Sequence, residues 1–223
     1  QGIADHFDHL AIEFDFAAFS QTQIAPDKGL TFANGLRSLL RQDPDVILVG
    51  EIRDDETADI CMRAATTGHL LLTTVHADCS ASVFARMAQM GANPMQLASA
   101  TAGVLSQRLC KKLCPHCQRE HEVTGAQTRQ FQLLGFELPP DGPFYTAAGC
   151  NECLDTGYNG RLSVYELLVV SASLRDLIAA GEPTHLLRQH AQEQSMKTLL
   201  DDGLAKCRAG LITLDEVLRV CTA

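Results

Sequence analysis

Apolar residues in the first part of the chain follow two different spacings. Between Phe32 and Leu40 they recur every three or four positions, which predicts a helix, and Thr31 can cap it. The pair Asp43-Pro44 then breaks the helical pattern. The next run, Val46–Val49, is apolar without interruption, as is typical of a strand buried on both faces of a sheet. The sequence therefore predicts a helix followed by a buried strand that ends just before Glu51.

A second helix and a second strand follow at once. Asp54 or Asp55 can cap the helix, and Leu70–Val75 is another apolar run, ending at His76. Strand, helix and strand in this order, with apolar runs in both strands, indicate a parallel α/β sheet. Ligands of such sheets bind beyond the carboxyl ends of the strands, where Glu51 and His76 both fall.

Helical spacing continues after this region and then gives way to turns. We expect helices over Ser82–Met90 and Met95–Leu109. Segment 138–143 contains three prolines and a glycine, which is too rich in turn residues for a compact α/β core. The region around it is therefore predicted to be a separate small lobe.

The two ends of the chain have weaker patterns. Residues 1–28 are predicted to be irregular, with a candidate short strand at Leu10–Phe14. After a strand at Leu162–Tyr165, the remaining sequence predicts an amphipathic helical tail with a break at Gly203. A final helix is expected from Thr213, because acids follow at the helix start.

Composition narrows the class of protein. The 223 residues are enough for one large domain, or for a medium domain and a small one. A formal charge of -9 argues against binding along nucleic acid, because that binding relies on Lys and Arg neutralising phosphates. No run approaches the roughly 20 apolar residues of a bilayer-spanning helix, and no secretory leader opens the chain. The nine cysteines are therefore expected to be reduced, and the first residue, Gln1, suggests a fragment or a processed piece.

Four of the cysteines form two short pairs, Cys114 with Cys117 and Cys150 with Cys153. Four thiolates suit a tetrahedral zinc ion that is closed to solvent and chemically inert. Free thiols and two local disulfides are the alternatives. The nearby His116 and His121 are interpreted as bystanders, and Cys61, Cys79, Cys110, Cys207 and Cys221 as small buried apolar residues, although Cys110 can compete as a ligand.

The acid at the end of the first strand is a candidate catalytic group. A nucleotide hydrolase needs a carboxylate at such a position, to orient the attacking water or to hold magnesium indirectly. Taken alone the signal of Gly50-Glu51 is weak, because an apolar strand ends in Gly-Glu in many α/β proteins without catalytic meaning. His76 is either a phosphate contact or a structural residue, and Arg37, Arg41 and Arg53 either bind phosphate or pair with Asp43, Asp45 and Asp54.

Read as one string, these segments resemble a known family. They are similar to the secretion and pilus-assembly ATPases, the hexameric motors of type II secretion and type IV pilus extension. The resemblance rests on Gly29–Ala33, Leu40–Asp54 and Thr67–His76, and it extends through Ser106–Leu109, both cysteine pairs and Gly157–Arg161 to Leu214–Val220.

The resemblance implies a fold and a set of site residues. The fold is α/β, a partial RecA-like core of P-loop NTPase type, with a small four-cysteine zinc lobe and a helical C-terminal tail. Gly50-Glu51 matches the family's Walker B end, with Glu51 as the catalytic acid, and His76 falls on the family's His box. Arg37, Arg41 and Arg53 match family arginines, without indicating which of them faces the nucleotide.

The same resemblance implies cofactors, partners and a location. The cofactors are ATP and magnesium in the intact enzyme, together with structural zinc. The partners are the other subunits of a hexamer, an inner-membrane platform and cytoplasmic secretion or pilus proteins. The location is the cytoplasm, peripheral to the inner membrane. The four-cysteine element favours secretion or pilus extension over retraction. The implied organisation is a truncated, irregular start at 1–28, the carboxyl-terminal part of the ATPase core at 29–109, the zinc lobe at 110–160 and the helical region at 161–223.

Two departures from the family pattern bear on activity. The phosphate loop, Gly-x-x-x-x-Gly-Lys-Ser/Thr, does not occur in residues 1–223. The family's acidic Glu-Asp-Pro slot reads His9-Leu10-Ala11, directly ahead of Ile12-Glu13-Phe14. We therefore expect that this chain alone does not turn over ATP. The alternatives are a non-enzymatic interaction or regulatory module of the same machine and, from the cysteine pairs alone, a zinc-ribbon nucleic-acid binder, which the acidic charge disfavours.

Overall fold

The chain divides into two compact units. The computed structural model describes residues 7–10, 20–138 and 142–221. Unit 1 contains residues 1–104 and 169–191, and unit 2 contains residues 105–168 and 192–223. Both cysteine pairs and the last two helices therefore belong to unit 2, whereas residues 169–191 of the expected tail belong to unit 1.

The secondary structure alternates strands and helices in unit 1 and is mixed in unit 2. The strands are β1 Phe7–Leu10, β2 Ser20–Thr22, β3 Val46–Val49, β4 Leu70–Thr73, β5 Gly103–Leu113, β6 Gln118–Glu120, β7 Tyr145–Ala147 and β8 Tyr158–Val169. The helices are α1 Phe32–Leu39, α2 Asp55–Thr66, α3 Ser82–Gln89, α4 Pro94–Ala100, α5 Gly125–Leu133, α6 Ala172–Ala180, α7 Thr184–Glu193, α8 Leu199–Arg208 and α9 Leu214–Cys221. Among the described residues no helix is long and apolar enough to cross a membrane.

A parallel sheet organises unit 1, as the sequence predicted. Its strand order is β2-β1-β3-β4, and each neighbouring pair runs parallel. The predicted strand has the bounds of β3, and its Ile47 and Val49 side chains are fully buried. The first 28 residues contribute β1 and β2 rather than being irregular, because these short strands are held by pairing that a local pattern does not reveal. Leu10 ends β1, and the rest of the candidate strand, 11–14, lies outside the described residues.

The fourth strand differs from its prediction. The sequence indicated a strand buried on both faces, but Leu70 is 53% exposed and Leu72 is 44% exposed. Within the described residues β4 pairs with β3 alone, so it is an edge strand of the sheet. The apolar run therefore predicted the strand correctly but not its burial, because one face of β4 has no covering layer in the described part of the chain.

Capping side chains set the helix starts in unit 1. The Thr31 side chain accepts a hydrogen bond from the Asn34 N–H at the start of α1, and Asp54 accepts one from Thr57 at the start of α2. Both predicted caps are thus confirmed. The predicted helix over 82–90 is also confirmed. The α3 helix begins at the predicted Ser82 and ends one residue before the predicted end, at Gln89.

The helix predicted over Met95–Leu109 is wrong beyond its first turns. The α4 helix ends at Ala100, and β5 begins at Gly103. From Val104 onward exposed and less exposed positions alternate, which is the period of a strand. Pairing of β5 with β8 decides this segment, and β8 is itself far longer than the predicted strand at Leu162–Tyr165.

The described residues of unit 2 form two small sheets and the helices α5, α8 and α9. Pairing joins β5 to β8, and β6 runs antiparallel to β7. Between the cysteine pairs lies α5, a helix that the sequence reading missed. Its start is a capping box, in which Thr124 and Gln127 each bond the other's backbone N–H. The residues of this capping box can be recognised in the sequence, but the prolines that follow led to a prediction of turns for the region.

The last two helices close the core of unit 2. Gly203 was predicted to break the tail, but it lies inside α8, where an added Cβ would stand 3.1 Å from a Val217 methyl group of α9. The glycine therefore permits close helix packing. Buried Glu216 of α9 accepts a 2.7 Å hydrogen bond from the Lys111 N–H and pairs with Arg219, which lowers the pKa of its carboxyl. These bonds tie α9 to β5.

Candidate functional site

The segments after β3 and β4 run side by side. The Ile52 N–H donates to the Thr74 carbonyl at 3.0 Å, and the Thr74 hydroxyl donates to the Gly50 carbonyl at 2.6 Å. These cross-links continue the sheet pairing beyond the strands. They fix Glu51, after β3, opposite His76, after β4.

The Glu51 carboxylate is only partly open to solvent, with 20% of its side chain exposed. Its Oε1 forms an ion pair with Arg53, and its Oε2 lies 3.6 Å from the His76 Nε2. Hydrogen bonding from Arg53 holds the pKa of Glu51 below its usual value, so the side chain is ionised at neutral pH. The Oε2 atom is buried and has no hydrogen-bond partner among the described residues. Such a carboxylate is a weak base, and it is better suited to orienting a water molecule or a hydrated cation.

The three predicted arginines have different surroundings. Arg37 pairs with Glu56 at 2.8 Å and donates to the Asn34 side chain at 3.0 Å. Arg53 pairs with Glu51, and neither pairs with the aspartates expected from the sequence. Arg41 is exposed and forms no ion pair within the described residues. The structure thus brings Glu51, His76 and Arg53 together and leaves Arg37 and Arg41 outside that contact.

A cavity of about 510 Å³ opens next to His76. One wall is His76 and the loop after it, and the other is one face of α3. Sequence reasoning did not select any residue of α3. The signal in the sequence that could have indicated this face was the spacing of small and polar residues on that helix. The residues that line the cavity are His76, Ala77, Asp78, Ser82, Ala85, Arg86 and Gln89.

The four predicted cysteines come together in unit 2, with all four Sγ atoms within 4.8 Å of one another. The Sγ atoms are 3.9 Å apart for Cys114 and Cys150, 3.8 Å for Cys117 and Cys153 and 3.7 Å for Cys150 and Cys153. Four sulfurs placed about 2.3 Å from a tetrahedral zinc ion stand about 3.8 Å apart. The cluster therefore fits zinc in donor type, number and spacing.

Backbone groups favour the thiolate of one cysteine of the cluster, Cys153, whereas burial raises the pKa of Cys117 and Cys150. The N–H groups of Gly157 and Cys150 point at the Cys153 Sγ, at 3.1 and 3.3 Å. Burial raises the pKa of Cys153, but these bonds outweigh burial and bring the pKa down to about 6. The thiolate is the form that binds metal.

The other candidate ligands lie elsewhere. His121 contacts Gln127 at 2.9 Å through its Nε2, and the His116 side chain is exposed. Cys110 is fully buried in the hydrophobic core of unit 2, and the metal-binding group that the described residues form does not include it. Cys61 and Cys207 are also buried, whereas Cys79 and Cys221 are half-buried.

Comparisons with known proteins show the family of this chain. A family model described as "Type II/IV secretion system protein" matches residues 10–219. The chain is 44% identical over 207 residues to the type IV pilus assembly ATPase PilB of Thermus thermophilus, covering 93% of this chain and 23% of that protein. It is 41% identical over 209 residues to the type II secretion system ATPase E of Vibrio cholerae, covering 94% and 41%. The chain thus spans less than half the length of these curated relatives.

Solved structures share the fold. The pilus retraction motor PilT with bound ADP matches with a TM-score of 0.65 and 26% identity, covering 96% of this chain and 52% of that one. The ATPase DotB of Legionella pneumophila matches with a TM-score of 0.66 over 97% and 52%, and at 19% identity it supports the fold alone. With the family match over nearly its whole length, the chain belongs to the Type II/IV secretion system protein family.

Proposed function

We propose that this chain is the carboxyl-terminal part of a hexameric ATPase that powers type II secretion or type IV pilus assembly. The observation that carries the proposal is the Glu51 carboxylate, which is ionised, partly buried and has one oxygen, near His76, without a hydrogen-bond partner among the described residues. Its position beyond the carboxyl end of a parallel strand is where such sheets bind ligands. The relatives named as ATPases supply the reaction class.

Each residue of the contact has a distinct role in this proposal. Glu51 orients the attacking water through its Oε2, while its Oε1 stays anchored to Arg53. His76 contacts the γ-phosphate side of the nucleotide, and Gly50 stands where the family's usual Walker B Asp would be. Bound magnesium would neutralise phosphate charge, and Arg37 and Arg41 would compensate further charge in the RecA-like ATPase core.

The cysteine cluster has a structural role in the same proposal. Cys114, Cys117, Cys150 and Cys153 would hold one zinc ion and lock the two turns together. The ordered lobe would then offer a surface to an inner-membrane platform protein or to a neighbouring subunit. This role places the protein in the cytoplasm, peripheral to the inner membrane.

The chain as it stands is proposed not to hydrolyse ATP, because a β/γ-phosphate cradle requires the phosphate loop. A magnesium-dependent rate from residues 1–223 that Glu51→Gln abolishes would contradict this. The full activity is tested in a chimaera, in which residues 12–219 replace the matching segment of the Vibrio cholerae ATPase E, so that the relative supplies both the phosphate loop and the acidic Glu-Asp-Pro slot. We expect magnesium-dependent hydrolysis and restored secretion in cells that lack that ATPase.

The controls separate catalysis from folding. Glu51→Gln in the chimaera should lower the hydrolysis rate by about 100-fold or more. Glu137→Gln, at an exposed position, should leave the rate unchanged. An active Glu51→Gln chimaera would contradict the assigned role.

A second function, a non-enzymatic interaction or regulatory module, is favoured by one observation, the half-exposed leucines of β4. It predicts a folded chimaera without hydrolysis, together with stable association between the 223-residue chain and a full-length relative. Light scattering of the mixture measures that association. An active chimaera would reject this second function.

A further inference from the structure

The cavity beside His76 has a positive group that forms no ion pair with any acid of the described residues. Arg86 lines it from α3, and its side chain is exposed and forms no ion pair within the described ranges. By contrast Arg37, Arg53, Arg63 and Arg219 each pair with a carboxylate. An arginine without an acidic partner, on a cavity wall, keeps its fork of donors available for an oxyanion.

The shape of α3 explains why the cavity exists. The residues at 82, 85, 86 and 89 lie on one face of the helix, since they are three or four positions apart. Ser82 and Ala85 are small and leave room, whereas Phe84 and Met87 on the other side are buried. The face toward the cavity therefore combines space with polar groups at its rim.

Two hydrogen bonds close the turn that leads into α3. The Cys79 N–H donates to the Ser82 hydroxyl at 3.0 Å, and that hydroxyl donates back to the Cys79 carbonyl at 2.8 Å. Asp78, the acid of the lining, already makes a polar or electrostatic interaction of its own. His76, whose side chain is 91% exposed, and Arg86 both line this cavity. Glu51 is not among the lining residues, but its Oε2 lies 3.6 Å from the His76 Nε2.

We infer that this cavity is an oxyanion site in which Arg86 contacts the terminal phosphate of the triphosphate, facing His76. The inference rests on the proposed function for the identity of the phosphate, but not for the binding of an oxyanion. Arg86 thereby joins the site as a group that sequence reasoning passed over. Arg53 does not compete for this role, because Glu51 already neutralises it.

Phosphate binding to the 223-residue chain tests the site without turnover. Inorganic phosphate is titrated while the imidazole resonances are followed by NMR, and the His76 signal is assigned with His76→Gln. We expect a saturable shift of the His76 ring in the wild type. Arg86→Gln should weaken binding about tenfold, because a charge-assisted hydrogen bond is lost, and Arg86→Lys should weaken it less. Arg175→Gln, an exposed arginine of α6 outside the cavity, is the matched control and should bind as the wild type does.

Turnover in the chimaera identifies the source of the phosphate. Arg86→Gln should raise KM for ATP or lower kcat, whereas Arg175→Gln should change neither. Equal phosphate affinity of wild type and Arg86→Gln would overturn the inference. Weakened phosphate binding with unchanged turnover would mark a site for free phosphate and would reject the nucleotide assignment. An active Glu51→Gln chimaera would overturn the proposed function instead, while the phosphate titration would still report on Arg86.

Discussion

The cysteine cluster of unit 2 draws its four ligands from two short turns, whereas the Glu51 site of unit 1 depends on segments that follow two different strands. In the cluster every sulfur lies 3.7 to 3.9 Å from at least one other, a distance that suits one zinc ion. At Glu51 one carboxylate oxygen is anchored by Arg53 and the other has no hydrogen-bond partner in the described residues. The first site supplies a complete set of ligands, and the second supplies part of one.

This difference follows from the chemistry of the two sites. A structural metal needs only donors of the right type and spacing, and a few residues of local chain provide them. A site for a nucleotide must surround a large anion, which requires groups from several elements of the fold. We therefore expect changes at the cluster to act on stability, and changes around Glu51 to act on ionisation and turnover.

The largest expected effect is loss of the cluster. Cys153→Ser should remove the zinc and unfold the residues around the cluster, because metal binding of about 10 kcal/mol is coupled to the folding of such sites. Elemental analysis should find one zinc per wild-type chain and none in the variant, and a chelator should reproduce the unfolding in NMR spectra. Cys79→Ser, outside the cluster, should keep its zinc. A zinc-free chain with an unchanged spectrum would remove the distinction between the two sites.

The next effect tests the backbone around the cluster. Gly157 has a φ of +73°, and an added Cβ would stand 2.4 Å from the Ala147 Cβ. Gly157→Ala should therefore destabilise unit 2 by about 3 kcal/mol in urea denaturation, from strain and overpacking together. Gly160 is the matched control, with a φ of +75° and open space around it. Gly160→Ala should cost about 1 kcal/mol, and equal losses would show that the contact with Ala147 is unimportant.

A smaller effect separates the helical core of unit 2 from its metal cluster. Glu216→Gln should cost about 1.5 to 3 kcal/mol at neutral pH, because charge-assisted hydrogen bonds to Arg219 and Lys111 are lost. The pKa of Glu216 is lowered by folding, so its stabilisation is present above the usual value near 4.5 and is lost as the pH falls through the lower folded value. Urea denaturation should show the wild type and Glu216→Gln converging in acid. Glu137→Gln should show no such convergence, and a constant difference across the range would contradict the linkage.

The smallest effect concerns ionisation in unit 1. Arg53→Gln should raise the pKa of Glu51 toward its usual value, since the hydrogen bond from Arg53 is the largest cause of the lowering. The carboxyl carbon shift of Glu51, followed by NMR across acid pH, measures this directly. Arg41→Gln is the control, because Arg41 lies outside the contact, and it should leave the titration unchanged. An unchanged titration in Arg53→Gln would mean that Arg53 is not the anchor.

The sequence by itself determined the features that are local in the chain. The caps Thr31 and Asp54, the bounds of β3 and the cysteine pairs follow from residues within a few positions of one another. The resemblance to the family predicted that Glu51 and His76 belong to one site. The caps, the strand bounds and the cysteine pairs each have a direct local physical cause, namely a hydrogen bond, a burial period or a ligand spacing.

Tertiary structure decided what depends on partners distant in the chain. Pairing with β8 turned the expected helix at 103–109 into a strand, and packing against Val217 kept Gly203 within a helix. Ion pairing with Glu51 neutralised Arg53, while Arg86 stayed open on a cavity wall. Propensity and spacing act over a few residues, whereas strand pairing, close packing and charge neutralisation join groups that only the fold brings together.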